Sequence, residues 1–506
     1  MNSTHAELRN RAVALEASIR ANKELIVQQE KQLVKLQVEI DAIVYPILSL
    51  PLEITTAIFA LCGPSLRMDV ERIPHYLDST FSPRLFMHVC RKWRQIALST
   101  PSLWSDLYIN LNRPLVEEEL LATLKRSAAI PLDVVIFGIP HSVNHDDSPW
   151  LTLKHFGPHL AMLYRYSERV QTLELCMTAS IFDDVHDFLR KDVIKFPILQ
   201  RLQLPSGTFN PPTKSRMFEY APRLVELVGG YDLNIAWARL EKFSMHRGSS
   251  VEPYECITFL KATPNLRSAI FHCRGSDVLP SSVYTHPTLE DLTVKVVGSG
   301  ASFIDYLSAP ALRRLEVDPS GAEGEDHLRR IHGFVERSSP PLHSLIYTNP
   351  TQNTNHTIAA DDLIALFKLL PLLTWLEMRC AKRDSLVSLG AAFAIRPPLL
   401  PNLRHLTFPD LCMWQQPKTK QRAFTFKKMI VALSSAVSKR STLVEYLSVS
   451  VQKFDENGRY GMPELPKLLD SSTYADDRLA LRPLREQGII MDVFRAVQSS
   501  EILVDI

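Results

Sequence analysis

Pro287-Thr-Leu-Glu-Asp-Leu-Thr-Val294 is one of five stretches that obey a single rule, Pro-x-Leu-x-x-Leu-x-apolar. The others are Pro197-Ile-Leu-Gln-Arg-Leu-Gln-Leu204, Pro310-Ala-Leu-Arg-Arg-Leu-Glu-Val317, Pro371-Leu-Leu-Thr-Trp-Leu-Glu-Met378 and Pro401-Asn-Leu-Arg-His-Leu-Thr-Phe408. Weaker copies start at Val170, Leu224, Leu240, Leu266, Leu342 and Val444. From one first apolar residue to the next, the steps are 29, 25, 16, 26, 23, 23, 30, 31, 30 and 41 residues. Leu-x-Leu alternation makes a short strand with one buried face. The segments between strands carry helical spacing, as at Phe182 to Ile194, Tyr254 to Ala262, His327 to Arg337, Asp361 to Leu370 and Phe426 to Ser438. One strand plus one helix per step builds an α/β repeat solenoid. A proline before each strand cannot continue the preceding helix, which helps explain why 34 prolines outnumber 17 glycines in a folded chain.

Most steps lie in or just beyond the period of about 20–29 residues of leucine-rich repeats, which this region resembles in divergent form, without their regular asparagine positions. An earlier, degenerate copy is expected over Leu115 to Gly138, a helix then a strand. A last helix and strand, Leu479 to Gln487 and Gly488 onward, would cap the stack. A doubly wound α/β domain is the alternative, but its long apolar strands and Gly-rich switch loops are missing. In the repeat strands the leucines turn inward and the alternate residues face out from repeat to repeat. That places Arg314, Glu316, Trp375, Glu377, Arg379 and His405 on one candidate target-binding surface, with Trp375 and Arg379 at its centre because Trp and Arg dominate binding hot spots.

Upstream of the repeats, Ile47 to Phe59 reads I-L-S-L-P-L-E-I-T-T-A-I-F, and Leu85 to Trp104 reads L-F-M-H-V-C-R-K-W-R-Q-I-A-L-S-T-P-S-L-W. Pro51 suits a first helical turn, after which Ile54, Ile58 and Phe59 recur at helical spacing. Leu85, Val89, Trp93, Ile96 and Ala97 follow the same rule, and Ser99-Thr100-Pro101 stops the helix. Segments this short bury little surface alone and need a partner. The words L-P-L-E-I, V-C-R-K-W-R-Q-I-A and S-T-P-S-L-W, in that order, resemble the F-box family, especially its fungal-type members. The resemblance implies binding of a Skp-type adaptor, and through it a cullin scaffold and a ubiquitin-conjugating enzyme. It puts Leu50, Pro51, Ile54, Ile58, Phe59, Val89, Cys90, Trp93, Ile96 and Trp104 at or beneath the adaptor contact. The intervening loop Gly63 to Ser82 is long for the family and contains Pro64 and Pro74.

Ahead of that module, Leu8, Ala12, Leu15, Ile19, Asn22, Ile26, Gln29, Leu33, Leu36, Ile40 and Ile43 are spaced 4-3-4-3, and no Pro or Gly interrupts Ala6 to Tyr45. The pattern predicts one long helix with coiled-coil character. Asn22 and Gln29 fall on the seam, where they either set the register of a self-paired coil or mark where it is loose; a solvated or folded-back helix is the alternative.

The 506 residues carry 57 basic and 55 acidic side chains, a net charge of +2, so no polyanion-binding surface is advertised and no nucleic acid is expected. Seven scattered cysteines without C-x-x-C, no signal-like N-terminus and no long apolar run point to the cytosol or nucleus, with no membrane span. The Walker, Rossmann, nucleophile-elbow and H-E-x-x-H signatures are all missing. His141, His145, Asp146 and Asp147, with His155 and His159 nearby, read as a polar loop and not a metal site. The sequence therefore predicts an N-terminal heptad helix over 1–45, an F-box over 46–110 and a leucine-rich-repeat-like solenoid over 111–506. The expected function is that of a non-catalytic, cofactor-free target receptor of an SCF-type ubiquitin ligase. The alternative is an interaction scaffold outside ubiquitination.

Overall fold

The computed structural model describes residues 2–41, 46–62, 83–110, 117–138, 164–177, 194–204, 217–230, 233–246, 250–274, 280–297, 303–321, 327–348, 359–379, 383–413, 446–453, 490–497 and 500–504. The expected helices at Phe182–Ile194, Phe426–Ser438 and Leu479–Gln487, the loop 63–82 and the histidine cluster at 141–159 fall almost wholly outside these residues. The chain divides into two compact units, one of residues 1–106 with 117–130, the other of 107–116 with 131–506.

The first unit is helical. α1 (Asn2–Asp41) is a single 40-residue helix, as the heptads predict, and every described side chain from 7 to 40 is exposed. The stretch after it forms α2 (Leu52–Leu61), α3 (Arg84–Val89) and α4 (Arg91–Ser99), closed by a 3-10 turn at Pro101–Trp104. Here the expectation of one amphipathic helix through Leu85 and Ala97 is corrected. Cys90 is fully extended, at φ −156° and ψ 170°, so the helical phase is broken and restarts behind it. Its Sγ then accepts the Trp93 N–H at 3.4 Å and caps α4. As a result Ile96 and Ala97 turn into the core, whereas Leu85 and Val89 face solvent. α5 (Glu117–Arg126) also clusters with this unit, and its Glu119 pairs with Arg84 at 2.7 Å.

The second unit is built on a 15-stranded sheet whose strands lie in chain order. They are β1 (Asp106–Asn110), β2 (Leu132–Gly138), β3 (Val170–Met177), β4 (Arg201–Gln203), β5 (Glu226–Val228), β6 (Lys242–Ser244), β7 (Ser268–Arg274), β9 (Asp291–Val297), β11 (Arg314–Gly321), β12 (Ser344–Thr348), β13 (Trp375–Arg379), β14 (His405–Met413), β15 (Tyr446–Lys453), β16 (Ile490–Val497) and β17 (Ser500–Val504). β2 through β16 pair in parallel, and β17 returns antiparallel at the end. β8 (Tyr284–Thr285) and β10 (Leu307–Ser308) make a separate two-stranded parallel pair. Among the described residues of this unit, four regular helices follow strands: α6 (Pro253–Ala262), α7 (His327–Ser338), α8 (Ala360–Lys368) and α9 (Arg383–Phe393). Shorter crossovers use 3-10 turns, as at Trp237–Arg239 and Phe303–Tyr306. A helix per repeat is therefore too regular a description of steps as short as the 16 residues from Leu224 to Leu240.

Register is conserved from strand to strand. Leu173, Leu202, Leu227, Phe243, Ala269, Leu292, Leu315, Leu345, Leu376 and Leu406 form one row across the sheet, and all are buried. Each leucine so placed contributes about 1.5–3 kcal/mol relative to exposure. The first leucines of the repeats are buried as well. Most follow a tight turn in which, for example, the Leu199 N–H donates to the Phe196 carbonyl, Leu312 to Ala309 and Leu403 to Leu400. Pro197, Pro310 and Pro401 sit at the second position of those turns, where their fixed φ is favourable and no N–H is needed. The recurrent proline thus shapes the entry to the strand as well as ending what precedes it.

The turns feed a backbone ladder. The Arg267 carbonyl accepts from the N–H groups of Glu290 and Asp291, Glu290 from Arg313 and Arg314, Arg313 from His343 and Ser344, His343 from Thr374 and Trp375, and Thr374 from Arg404 and His405, all at 2.7–3.0 Å. Each carbonyl accepts two backbone N–H groups, which satisfies the strand entries, and the His343 carbonyl also accepts the Thr374 hydroxyl at 3.1 Å. The missing asparagines therefore leave no orphaned backbone at these positions.

Candidate interaction surfaces

In the first unit a small core holds the helices together: Phe59, Ile96, Ala97, Leu103 and Trp104, flanked by Phe86, Met87 and Trp93. Phe59 stacks on Phe86 at 4.0 Å and meets Trp93 edge-on at 4.9 Å. The Trp104 indole donates to the Ala97 carbonyl at 2.7 Å, and the Arg126 guanidinium lies 4.5 Å from its ring centroid. Of the ten residues singled out for adaptor binding, Phe59, Ile96 and Trp104 are thus interior. Pro51, Ile54 and Val89 are exposed, and Leu50, Ile58, Cys90 and Trp93 are half-buried. The Trp93 Nε1 is buried without a hydrogen-bond partner among the described residues. Ile47, Leu52, Ile54, Leu61, Leu85, Val89 and Leu98 are large aliphatic side chains left in solvent within 52 residues of chain. Beyond this unit only Tyr164, Tyr220, Tyr254, Val283, Leu372 and Val387 are comparably exposed among the described residues. Singly exposed apolar residues are ordinary; seven within one small module are a concentration that the repeat region lacks among the described residues.

On the sheet, the alternate residues also fall into rows. Arg314, Ser344, Trp375 and His405 are in register in one, and Glu316, Ile346, Glu377 and Thr407 in the next. Side chains on strands about 4.8 Å apart shield one another, so the second row is largely withdrawn from solvent, with Glu316 at 7% and Glu377 at 9% exposure. Both carboxylates are held by arginines. Arg379 donates to Glu377 and to Glu316, each at 2.6 Å, and Arg314 donates to Glu316 at 2.7 Å and to Asp291 at 2.9 Å. Arg379 reaches from β13 to β11 past Ile346 on the intervening strand. Burial alone would lower its pKa, but Glu316 and Glu377 outweigh that and the net shift is upward, so the guanidinium stays charged. Trp375 is half-buried and stacks on His405 at 5.0 Å and 22°. The six residues chosen for target binding are therefore brought together, with the two glutamates serving as buried anchors beneath half-buried Arg and aromatic groups.

A second ion cluster lies on β3 to β5, where Arg201 approaches Glu174 at 3.3 Å and Glu226 at 2.7 Å. Sequence reasoning missed it because its three residues come from three repeats. Burial raises the Glu174 pKa above its ordinary 4.5, and Arg201 only partly offsets this. Its folded pKa is then above its unfolded one, so the stability it contributes is full below pH 4.5 and is lost as pH rises through the raised value. Glu174→Gln is expected to flatten that loss in melting curves from about pH 4 to pH 8 while Arg201 keeps Glu226. A variant less stable than wild type at the upper end would mean that the Arg201 ion pair outweighs burial. Burial also pushes the Cys176 thiol up to about 12, which leaves it unreactive.

Among the described residues no group of three or more His, Cys, Asp or Glu is placed to hold a metal ion, and no helix is long and apolar enough to cross a membrane. No curated protein matches the chain. Among solved structures, the crystal structure of a TLR13–ssRNA13 complex is similar at 12% identity and a TM-score of 0.30, over 69% of this chain and 42% of that one, a likeness too slight to argue from. Residues 47–110 match the family described as F-box-like, the same stretch that folds as the small helical core and carries the exposed aliphatic side chains.

Proposed function

We propose that the protein is the target-recognition subunit of an SCF-type ubiquitin ligase. The F-box engages a Skp-type adaptor, and a divergent leucine-rich-repeat-like solenoid holds a target protein. The observation that carries this reading is the F-box-like module itself, whose short helices bury one face in a shared core and leave Ile47, Leu52, Ile54, Leu85 and Val89 without cover. The repeat reading rests on the chain-ordered parallel strands with buried leucine rows and on the helices α6 to α9 that follow strands. Such a surface suits binding to an extended protein face. The chain then does no covalent chemistry; it raises the local concentration of a target lysine at the conjugating enzyme.

Purified Skp-type adaptor provides the test. Ile54→Asp with Val89→Asp changes only exposed positions, and we expect capture to weaken by about 100-fold or more because each charge would have to be desolvated at the contact. Undiminished capture by this variant, or no capture of the wild type, would favour a scaffold that joins two proteins without ubiquitination. Affinity purification after proteasome inhibition identifies the target.

A further inference from the structure

We infer that α1 pairs with a second copy of itself as a parallel, in-register, two-stranded coiled coil, making the protein a bivalent receptor. The pairing itself does not depend on the proposed function; only its consequence for target binding rests on that reading. The seam side chains are uncovered along the whole helix, with Leu8, Leu15, Ile19, Ile26, Leu33, Leu36 and Ile40 at 48–65% exposure. Forty residues span about 60 Å, ample for a stable coil.

Chemistry on the seam selects both the partner and the orientation. The spacing places Ala12, Ile19, Ile26, Leu33 and Ile40 at one core position of the heptad and Leu8, Leu15, Asn22, Gln29 and Leu36 at the other. Isoleucine at the first (a) and leucine at the second (d) favour two parallel strands. Both amides, moreover, are at d, and every a residue is apolar. In an antiparallel coil each d residue faces an a residue, so every antiparallel register leaves Asn22 and Gln29 against aliphatic side chains with their hydrogen bonds unmade. A parallel coil shifted by one heptad pairs Asn22 with Gln29 but strands the other Asn22 and Gln29 against Leu15 and Leu36. Only the parallel, in-register pair sets Asn22 on Asn22 and Gln29 on Gln29, where the amides satisfy each other.

The flanking charges agree. In that register Arg11 of one copy faces Glu16 of the other, while Ser18 faces Lys23, Leu25 faces Glu30 and Gln32 faces Gln37, with no like-charged pair. Because the strands run the same way, both helices end together at Asp41, and the F-box helices begin eleven residues later in each copy. At about 3.5 Å per residue the connectors keep two F-boxes at one end of the coil. Two target sites on one assembly gain avidity for a target that is itself dimeric.

Sedimentation of the full-length protein at micromolar concentration should show a dimer. Ile26→Asp with Leu33→Asp should raise the dimer dissociation constant by about 100-fold or more, leaving monomer whose main melting transition is unchanged. Gln29→Cys tests orientation without removing an apolar contact. A parallel in-register coil brings the introduced thiols within the roughly 4.4–6.8 Å between α-carbons that a disulfide spans, so mild oxidation should link the dimer covalently, beyond any linkage of the wild type. A wild-type monomer, a dimer that survives the double Asp substitution, or a dimer that the introduced thiol fails to cross-link would each overturn the inference.

Discussion

Replacing Trp104 by alanine is expected to unfold the F-box module. Its indole is only 1% exposed in a core of five buried residues, so the cavity alone costs about 3–5 kcal/mol. The lost hydrogen bond to the Ala97 carbonyl, at the C-terminal end of α4, adds about 1 kcal/mol. A module this small has little stability in reserve. Amide exchange over residues 84–104 should therefore rise to that of an unfolded chain, and adaptor capture should vanish with it, while amides of the leucine row at Leu292, Leu315 and Leu345 keep their protection. Trp104→Phe should recover most of the packing but not the indole hydrogen bond, giving an intermediate loss. If the alanine variant retains native protection across α4, the core does not depend on this residue.

The leucine rows were legible in the sequence because burial and periodicity are properties of single residues read in order. The starts of ten repeats, from Val170 to Leu403, all prove buried. What escaped were features set by conformation or by pairs distant in the chain. The break at Cys90 turns on one extended residue inside a run whose spacing suits an unbroken helix. Consequently Leu85 and Val89, expected on one helical stripe with Ile96 and Ala97, are exposed while the latter two are buried. The doubly accepting carbonyls at strand entries are set by backbone N–H groups, which carry no residue signature. The outward residues of the sheet were selected by alternation, which says which way a side chain points but not whether its neighbours cover it. Glu316 and Glu377 point out and are nevertheless buried, because Arg379 folds back over them from its own strand.

That arrangement gives Arg379→Ala a stability cost as well as any effect on recognition. Arg379 balances two carboxylates at once, and its removal leaves Glu377 buried beside Ile346 without the guanidinium that it now accepts from. Glu316 fares better, since Arg314 remains at 2.7 Å. Uncompensated burial of a charge costs about 3–5 kcal/mol; with a third of the Arg379 side chain in solvent, we expect about 3 kcal/mol. A double variant separates this cause from lost packing. Glu377→Gln in the Arg379→Ala background removes the stranded charge and should restore much of the loss at neutral pH. With the melting temperature so restored, any remaining defect in target binding reports on the surface formed by Arg314, Trp375 and His405, and truncating Trp375, which stacks on His405 at 5.0 Å, then tests the centre of that surface. A single Arg379→Ala variant that melts like the wild type at all pH values would show that the glutamates are compensated by other means.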